Sequence, residues 1–230
     1  MYWYYDTTYL LVILGTVLCL IASLGVKSTF AKYAKVKNGR GITAQACAAS
    51  ILRDAGITDV RIERIRGSLT DHYSPKEKVL RLSDDVYDST SVAAIGVAAH
   101  ECGHAIQHQE RYAPLKLRSL SVPMANIGSW LSWPLILIGL ILGYYGLARF
   151  GAYLFAFVVF FQLITLPVEF NASSRALRIL EDQRLLYEEE LTGARKVLRS
   201  AAMTYVAALA SSVLQLLRLL LLTQGNRRRD

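Results

Sequence analysis

Apolar residues run almost unbroken through residues 8–26, TYLLVILGTVLCLIASLGV, a stretch about as long as a bilayer-spanning helix requires. Two further runs, residues 130–147 and 151–167, meet at ARFG, whose Arg149 is the charge between them, and together they predict a membrane hairpin. A last run, residues 201–223, is long enough to span but contains Arg218. An arginine near the bilayer centre costs roughly 2.5–3.5 kcal/mol, and the position of Arg218 near the end of the run lets it snorkel.

Between the first run and the hairpin the pattern changes. ITAQACAASILRDAGI has helical periodicity and stops near Gly56; DVRIERI alternates as a strand does; LTDHYSPKEKVLRLS reads as two short strands joined at Ser74 and Pro75. SVAAIGVAAHECGHAIQHQ then reads as one helix. The charged stretch EDQRLLYEEE reads as a solvated helix face.

Composition agrees with a membrane protein: 53% of residues are hydrophobic and only 19% charged. Three cysteines, Cys19, Cys47 and Cys102, form no CxxC pair and suggest neither a disulfide framework nor a thiolate cluster. The net charge of +8 lies beside the apolar runs and does not interleave with aromatic residues, so it reads as a topology signal and not as a nucleic-acid surface.

Lys27, Lys32, Lys35, Lys37 and Arg40 follow the first run, and residues 109–118 and 175–199 flank the hairpin with Arg and Lys, which places all of these segments in the cytoplasm. The N-terminus is then outside, with Tyr2, Trp3, Tyr4 and Tyr5 as an aromatic belt, and Arg149 at an outer tip. MYWYYD has no basic side chain and no A-x-A site comes after it, so the first run is expected to be a retained anchor and not a signal peptide. Basic residues at both ends of the last run, including Arg227 to Arg229, leave its placement open.

The expected architecture is therefore a mostly α integral membrane protein with a small α+β unit. Residues 1–26 form an N-terminal transmembrane anchor and residues 27–128 a cytosolic α+β region carrying the histidine-rich helix. Residues 129–168 form the transmembrane hairpin, 169–200 a helical segment, and 201–230 a hydrophobic, membrane-associated C-terminal helix with a basic tail.

Three of the four histidines fall in VAAHECGHAIQH. HECGH matches H-E-x-x-H, in which helical spacing projects His100 and His104 from one face to grip zinc while Glu101 acts on the metal-bound water. That glutamate can take the water's proton and pass it to a leaving amine, which is peptide-bond hydrolysis. Gly96, Ala98, Ala99, Gly103 and Ala105 are small enough for the helix to pack closely, as a buried site helix or any core helix does.

His108 is too far along to complete the set. From His100 to His108 a helix rises about 12 Å, against zinc–nitrogen bonds of roughly 2 Å. The metzincin pattern turns the chain at a glycine, whereas this chain has Gln107 there and Glu110 where the third histidine would stand. Glu169, in LPVEFNASSRAL at the end of the hairpin, returns to the membrane face of His100 and His104 if one helix leads out and the next leads back. The other reading of Glu169 is an interfacial carboxylate stabilised by a helix N-terminus.

LTDHYSP, VAAHECGHAIQH and PVEFNASSRA, in this order and with an anchor and a hairpin around them, resemble the YugP-like family of neutral membrane zinc metallopeptidases. The resemblance covers nearly the whole chain, and the order is more distantly similar to HtpX and the CAAX-prenyl proteases. It implies a gluzincin-like catalytic unit holding one zinc ion per chain through His100, His104 and the first residue of EFNAS, Glu169. The chain departs from the distant relatives at Ser173, where they place an aspartate that steadies a zinc histidine, and has Asn171 where YugP-like chains usually have aspartate. Asn171, Ser173 and Arg175 are candidates to hydrogen-bond the ligands from behind.

By the same resemblance SLTDHY is the counterpart of a strand that holds extended substrate by main-chain pairing, and His72 or Tyr73 is then a candidate donor to the oxyanion. The alternative is a strand-end turn in which Asp71 caps and His72 satisfies a local carbonyl. The leading expectation is a zinc-dependent endopeptidase in the cytoplasmic membrane, multi-pass, with its site facing the cytosol and peptides or membrane proteins as substrates. A zinc-binding scaffold with little hydrolytic activity is the alternative, against which Glu101 stands. A metal transporter would need polar spans, and the hairpin offers few polar residues beyond Ser129, Ser132, Gln162 and Thr165. The sequence leaves the oligomeric state undetermined.

Overall fold

The computed structural model describes residues 7–224. The aromatic residues Tyr2 to Tyr5 and the basic tail Arg227 to Arg229 lie outside the described residues. The chain is mostly helical: α1 (Tyr9–Tyr33), α2 (Ala44–Asp54), β1 (Arg61–Ile65), β2 (His72–Ser74), β3 (Val79–Ser83), α3 (Val92–Gln109), α4 (Ala113–Ile141), α5 (Tyr145–Asp182) and α6 (Glu188–Gln224). Four helices, α1, α4, α5 and α6, are long and apolar enough to cross a membrane by length and composition. On α1, Leu10, Ile13, Leu20 and Ile21 are more than half exposed, an apolar surface that calls for lipid or protein cover.

The chain divides into two compact units. Of the described residues, the first comprises 7–23, 117–166 and 204–224. Here α4 and α5 form a tight antiparallel pair because Gly139 and Gly151 leave no room for side chains: a Cβ at Gly139 would stand 2.5 Å from the Ala148 nitrogen, and one at Gly151 2.9 Å from the Ser132 carbonyl oxygen. Helices α1 and α6 approach as closely, with Gly15 against Ser211. Arg218 lies over the Tyr9 ring, 4.3 Å from its centroid, a cation–π placement for the arginine of the last apolar run.

The hairpin turns earlier than the hydrophobic pattern suggests. Helix α4 ends at Ile141 and α5 begins at Tyr145, with Gly143 in the left-handed region (φ 72°) at the turn. Arg149 therefore sits inside α5 and not at the tip, and its Nη2 donates to the Thr223 carbonyl at 3.3 Å. Gly151 looks like a turn residue in sequence but serves close helix packing.

The second unit comprises residues 24–116 and 167–203. Its core is the face of α3 packed with α2, the sheet and parts of α5 and α6, and includes Ile51, Leu80, Leu82, Ile95 and Leu180. The sheet order is β1-β3-β2, with β1 parallel and β2 antiparallel to β3 and His72 opposite Arg81. Ser91 caps α3, its side chain accepting from the Ala94 N–H, a contribution of about 1 kcal/mol that fixes where the site helix starts.

Two further differences concern α5 and the bend between α5 and α6. Pro167 has no N–H to offer the carbonyl four residues back, yet the helix continues through it, so Glu169 lies well inside α5 and not at the start of a separate helix. A helix N-terminus therefore does not account for this carboxylate. The EDQRLLYEEE stretch forms the bend, with Arg184 at φ 50° and Leu185 and Leu186 buried, and is not one solvated helix face.

Candidate metal centre

Within the second unit, α3 and α5 bring His100, His104 and Glu169 together. Gly103 makes this possible: a Cβ there would stand 2.7 Å from the Ala172 carbonyl oxygen, so only glycine lets the two backbones approach so closely. One potential ligand atom from each of the three side chains lies within 4.8 Å of the other two. Glu169 Oε2 is 3.3 Å from His100 Nε2 and 3.5 Å from His104 Nε2. A tetrahedral zinc ion with bonds of roughly 2.0–2.2 Å separates its ligand atoms by about 3.3–3.6 Å, so the donor set fits zinc in its chemistry and the carboxylate stands at a suitable spacing from each imidazole.

The environment favours a cation. Glu169 is 2% exposed and Glu101 7% exposed, so two carboxyl groups are buried around the imidazoles. Burial by itself disfavours charge on His104, but its hydrogen bonds and the nearby carboxylates of Glu169 and Glu101 outweigh this and raise its pKa. A metal ion can supply the positive charge that these acids attract.

Behind the ligands lies a polar network that the sequence pattern reveals only in part. Ser173 Oγ is 3.1 Å from His100 Nδ1, so the serine occupies the back of one imidazole. His104 Nδ1 is 3.0 Å from Gln107 Oε1. The Gln107 amide nitrogen donates to the Val168 carbonyl and to Asn171 Oδ1, each at 2.9 Å. Arg175 Nε donates to the same Asn171 oxygen at 2.7 Å, and its Nη1 pairs with Glu110 at 2.7 Å. Asn171 and Arg175 thus reach His104 only through Gln107, a residue that in sequence reads solely as the missing glycine of another motif. The available signal was a polar side chain three positions after a ligand on the same helix.

His72 and Tyr73 have other partners. His72 Nδ1 is 2.9 Å from the Thr70 carbonyl and its Nε2 3.4 Å from Arg81 Nη1. Asp71 accepts from the Ser83 N–H at 2.7 Å and the Ser83 hydroxyl at 3.0 Å. Tyr73 Oη lies 2.8 Å from His108 Nδ1, and both side chains line a cleft of about 440 Å³ with Asp59, Lys78, Ala105 and Gln109. His108 therefore has a partner of its own, one turn along α3 from His104.

A family model described as "Putative neutral zinc metallopeptidase" matches residues 8–224. The "Putative membrane protease YugP" of Bacillus subtilis (strain 168) is 48% identical over 206 residues, covering 90% of this chain and 92% of the relative. No solved structure matches. With a match spanning nearly every residue from the first apolar helix to the last, the chain belongs to this zinc metallopeptidase family.

Proposed function

We propose that the protein is a zinc-dependent endopeptidase of the cytoplasmic membrane, with one zinc ion per chain held by His100, His104 and Glu169 in a gluzincin-like arrangement. The observation that carries this reading is the convergence of three donor side chains, two from α3, which also bears Glu101, and one from α5, with the Glu169 oxygen 3.3 and 3.5 Å from the two imidazole nitrogens.

Zinc bound there supplies a Lewis acid that polarises a peptide carbonyl and brings the pKa of water towards neutrality. Glu101, next to His100 and nearly buried, accepts a proton from the water whose oxygen adds to the carbonyl carbon. It returns that proton to the nitrogen as the C–N bond breaks, so acid and amine leave with atoms balanced. Ser173 and Gln107 hold the imidazoles from behind. Strand β2 is at the sheet edge, so an extended peptide or an unfolded segment of a membrane protein can add to it by main-chain pairing. The basic segments 27–40 and 175–199 support a site facing the cytosol.

The test is metal analysis with casein or peptide hydrolysis on purified wild type beside Glu101→Gln. The variant is expected to keep its zinc while turnover falls by roughly 10²–10⁴, the worth of general-base catalysis. Undiminished hydrolysis by the variant would overturn the mechanism. A wild type that holds zinc yet cleaves nothing would favour a scaffold.

A further inference from the structure

Gln107 is fully buried, and each end of its amide has a partner. The orientation of that amide is dictated by the partners. A main-chain carbonyl only accepts, so the Val168 oxygen at 2.9 Å demands the NH₂ end. Asn171 presents its own oxygen to Gln107, because Arg175 Nε, which only donates, occupies the same Oδ1 at 2.7 Å. Two acceptors thus hold the Gln107 nitrogen, and Oε1 is left facing His104 Nδ1 at 3.0 Å.

An amide oxygen has no proton to give. His104 must therefore donate from Nδ1, and a neutral imidazole that carries its proton on Nδ1 has its lone pair on Nε2. Nε2 is the atom that stands 3.5 Å from Glu169 Oε2. We infer that Gln107 is a positioning residue that locks neutral His104 in the Nδ1–H tautomer, so that the lone pair of the neutral ring is on the nitrogen that faces the His100–Glu169 cluster. The two histidines differ in this. Ser173, 3.1 Å from His100 Nδ1, can donate or accept, so no partner behind His100 imposes a tautomer on it as Gln107 does on His104.

The lock also ties the ligands together, since the Val168 carbonyl that orients Gln107 belongs to the residue before Glu169. One side chain on α3 thereby registers both an imidazole and the carboxylate-bearing turn of α5. The consequence for metal affinity rests on the reading of this cluster as a zinc centre; the tautomer itself does not.

The experiment uses full-length protein in detergent, stripped of metal, with ¹⁵N-labelled histidine, at a pH where the imidazoles are neutral. Long-range proton–nitrogen correlation, assigned with single His→Gln variants, reads which ring nitrogen of His104 is protonated. Wild type is expected to show His104 as Nδ1–H, Gln107→Met a mixture, and Ser173→Ala the wild-type tautomer at His104. Competition with a chromophoric chelator should then show zinc affinity lower by about 10–100-fold in Gln107→Met, the usual cost of losing such a partner. Nε2–H as the main form of His104 in wild type would overturn the inference, as would a Gln107→Met protein with unchanged tautomer and affinity. If Gln107→Met does not fold, the wild-type spectrum alone decides. If wild type takes up no zinc, the zinc-centre reading fails while the tautomer measurement still stands as a test.

Discussion

Gly103 and Ala172 meet so closely that a Cβ on the glycine would stand 2.7 Å from the alanine's carbonyl oxygen. The contact lies between His100 and His104 on one helix and beside Glu169 on the other, so it sets the distance across which the three side chains meet. Gly103→Ala must push α3 and α5 apart, since backbone and not a flexible side-chain tip is in the way. Zinc affinity should fall at least tenfold, and the metal-free protein should lose about 1–3 kcal/mol, as overpacked cores do. Chelator competition and thermal unfolding measure both. An alanine variant with wild-type affinity would show that the helices need not approach this closely.

Glu169→Ala should strip the metal, because it removes the oxygen that lies within 3.5 Å of both imidazoles. His108→Ala should keep it, because His108 is engaged with Tyr73 one helical turn away. Stoichiometric zinc in Glu169→Ala, or its loss in His108→Ala alone, would reverse the assignment of the third ligand.

Asp71 gives a dependence on pH whose sign is fixed. Burial raises its carboxyl pKa, more than the Ser83 hydrogen bonds lower it, and Glu101 adds to the rise. A raised folded pKa means that the folded state binds the extra proton, so its stabilising effect is present below the unfolded value of about 3.9 and is lost as pH climbs through the folded value. Asp71→Asn keeps an acceptor for Ser83 N–H and has no charge to bury. The variant should therefore gain in melting temperature relative to wild type across that window and hold the advantage at neutral pH. An advantage that shrinks with rising pH would contradict the burial argument.

Membrane orientation is tested by single cysteines at Ser68 and Tyr144 in a background free of Cys19, Cys47 and Cys102. Position 144 serves as the outer reporter because the turn lies at residues 142–144 and Tyr144 is exposed there. In intact cells an impermeant maleimide should label position 144 and not position 68, and permeabilisation should expose position 68. The opposite pattern would put the site on the outer side.

The length and apolarity of the long segments, the order of the short elements from α2 to α3, and the pairing of His100 with His104 are all determined by the sequence alone. Each is a local property: bilayer thickness sets a run length, and 3.6 residues per turn puts positions four apart on one face. Tertiary structure decided the rest. ARFG reads as a turn because glycine and arginine interrupt an apolar run, but Gly151 proved to be a contact point between helices and the chain turns at Gly143. The apolar run stops at Pro167, yet α5 passes through it and carries Glu169 to the two histidines from 65 and 69 positions away. Gln107 reads as an absent glycine until its partners on α5 are known. Periodicity records which face of a helix is apolar; it does not record which other helix lies against that face, and both the carboxylate and the amide act only across that contact.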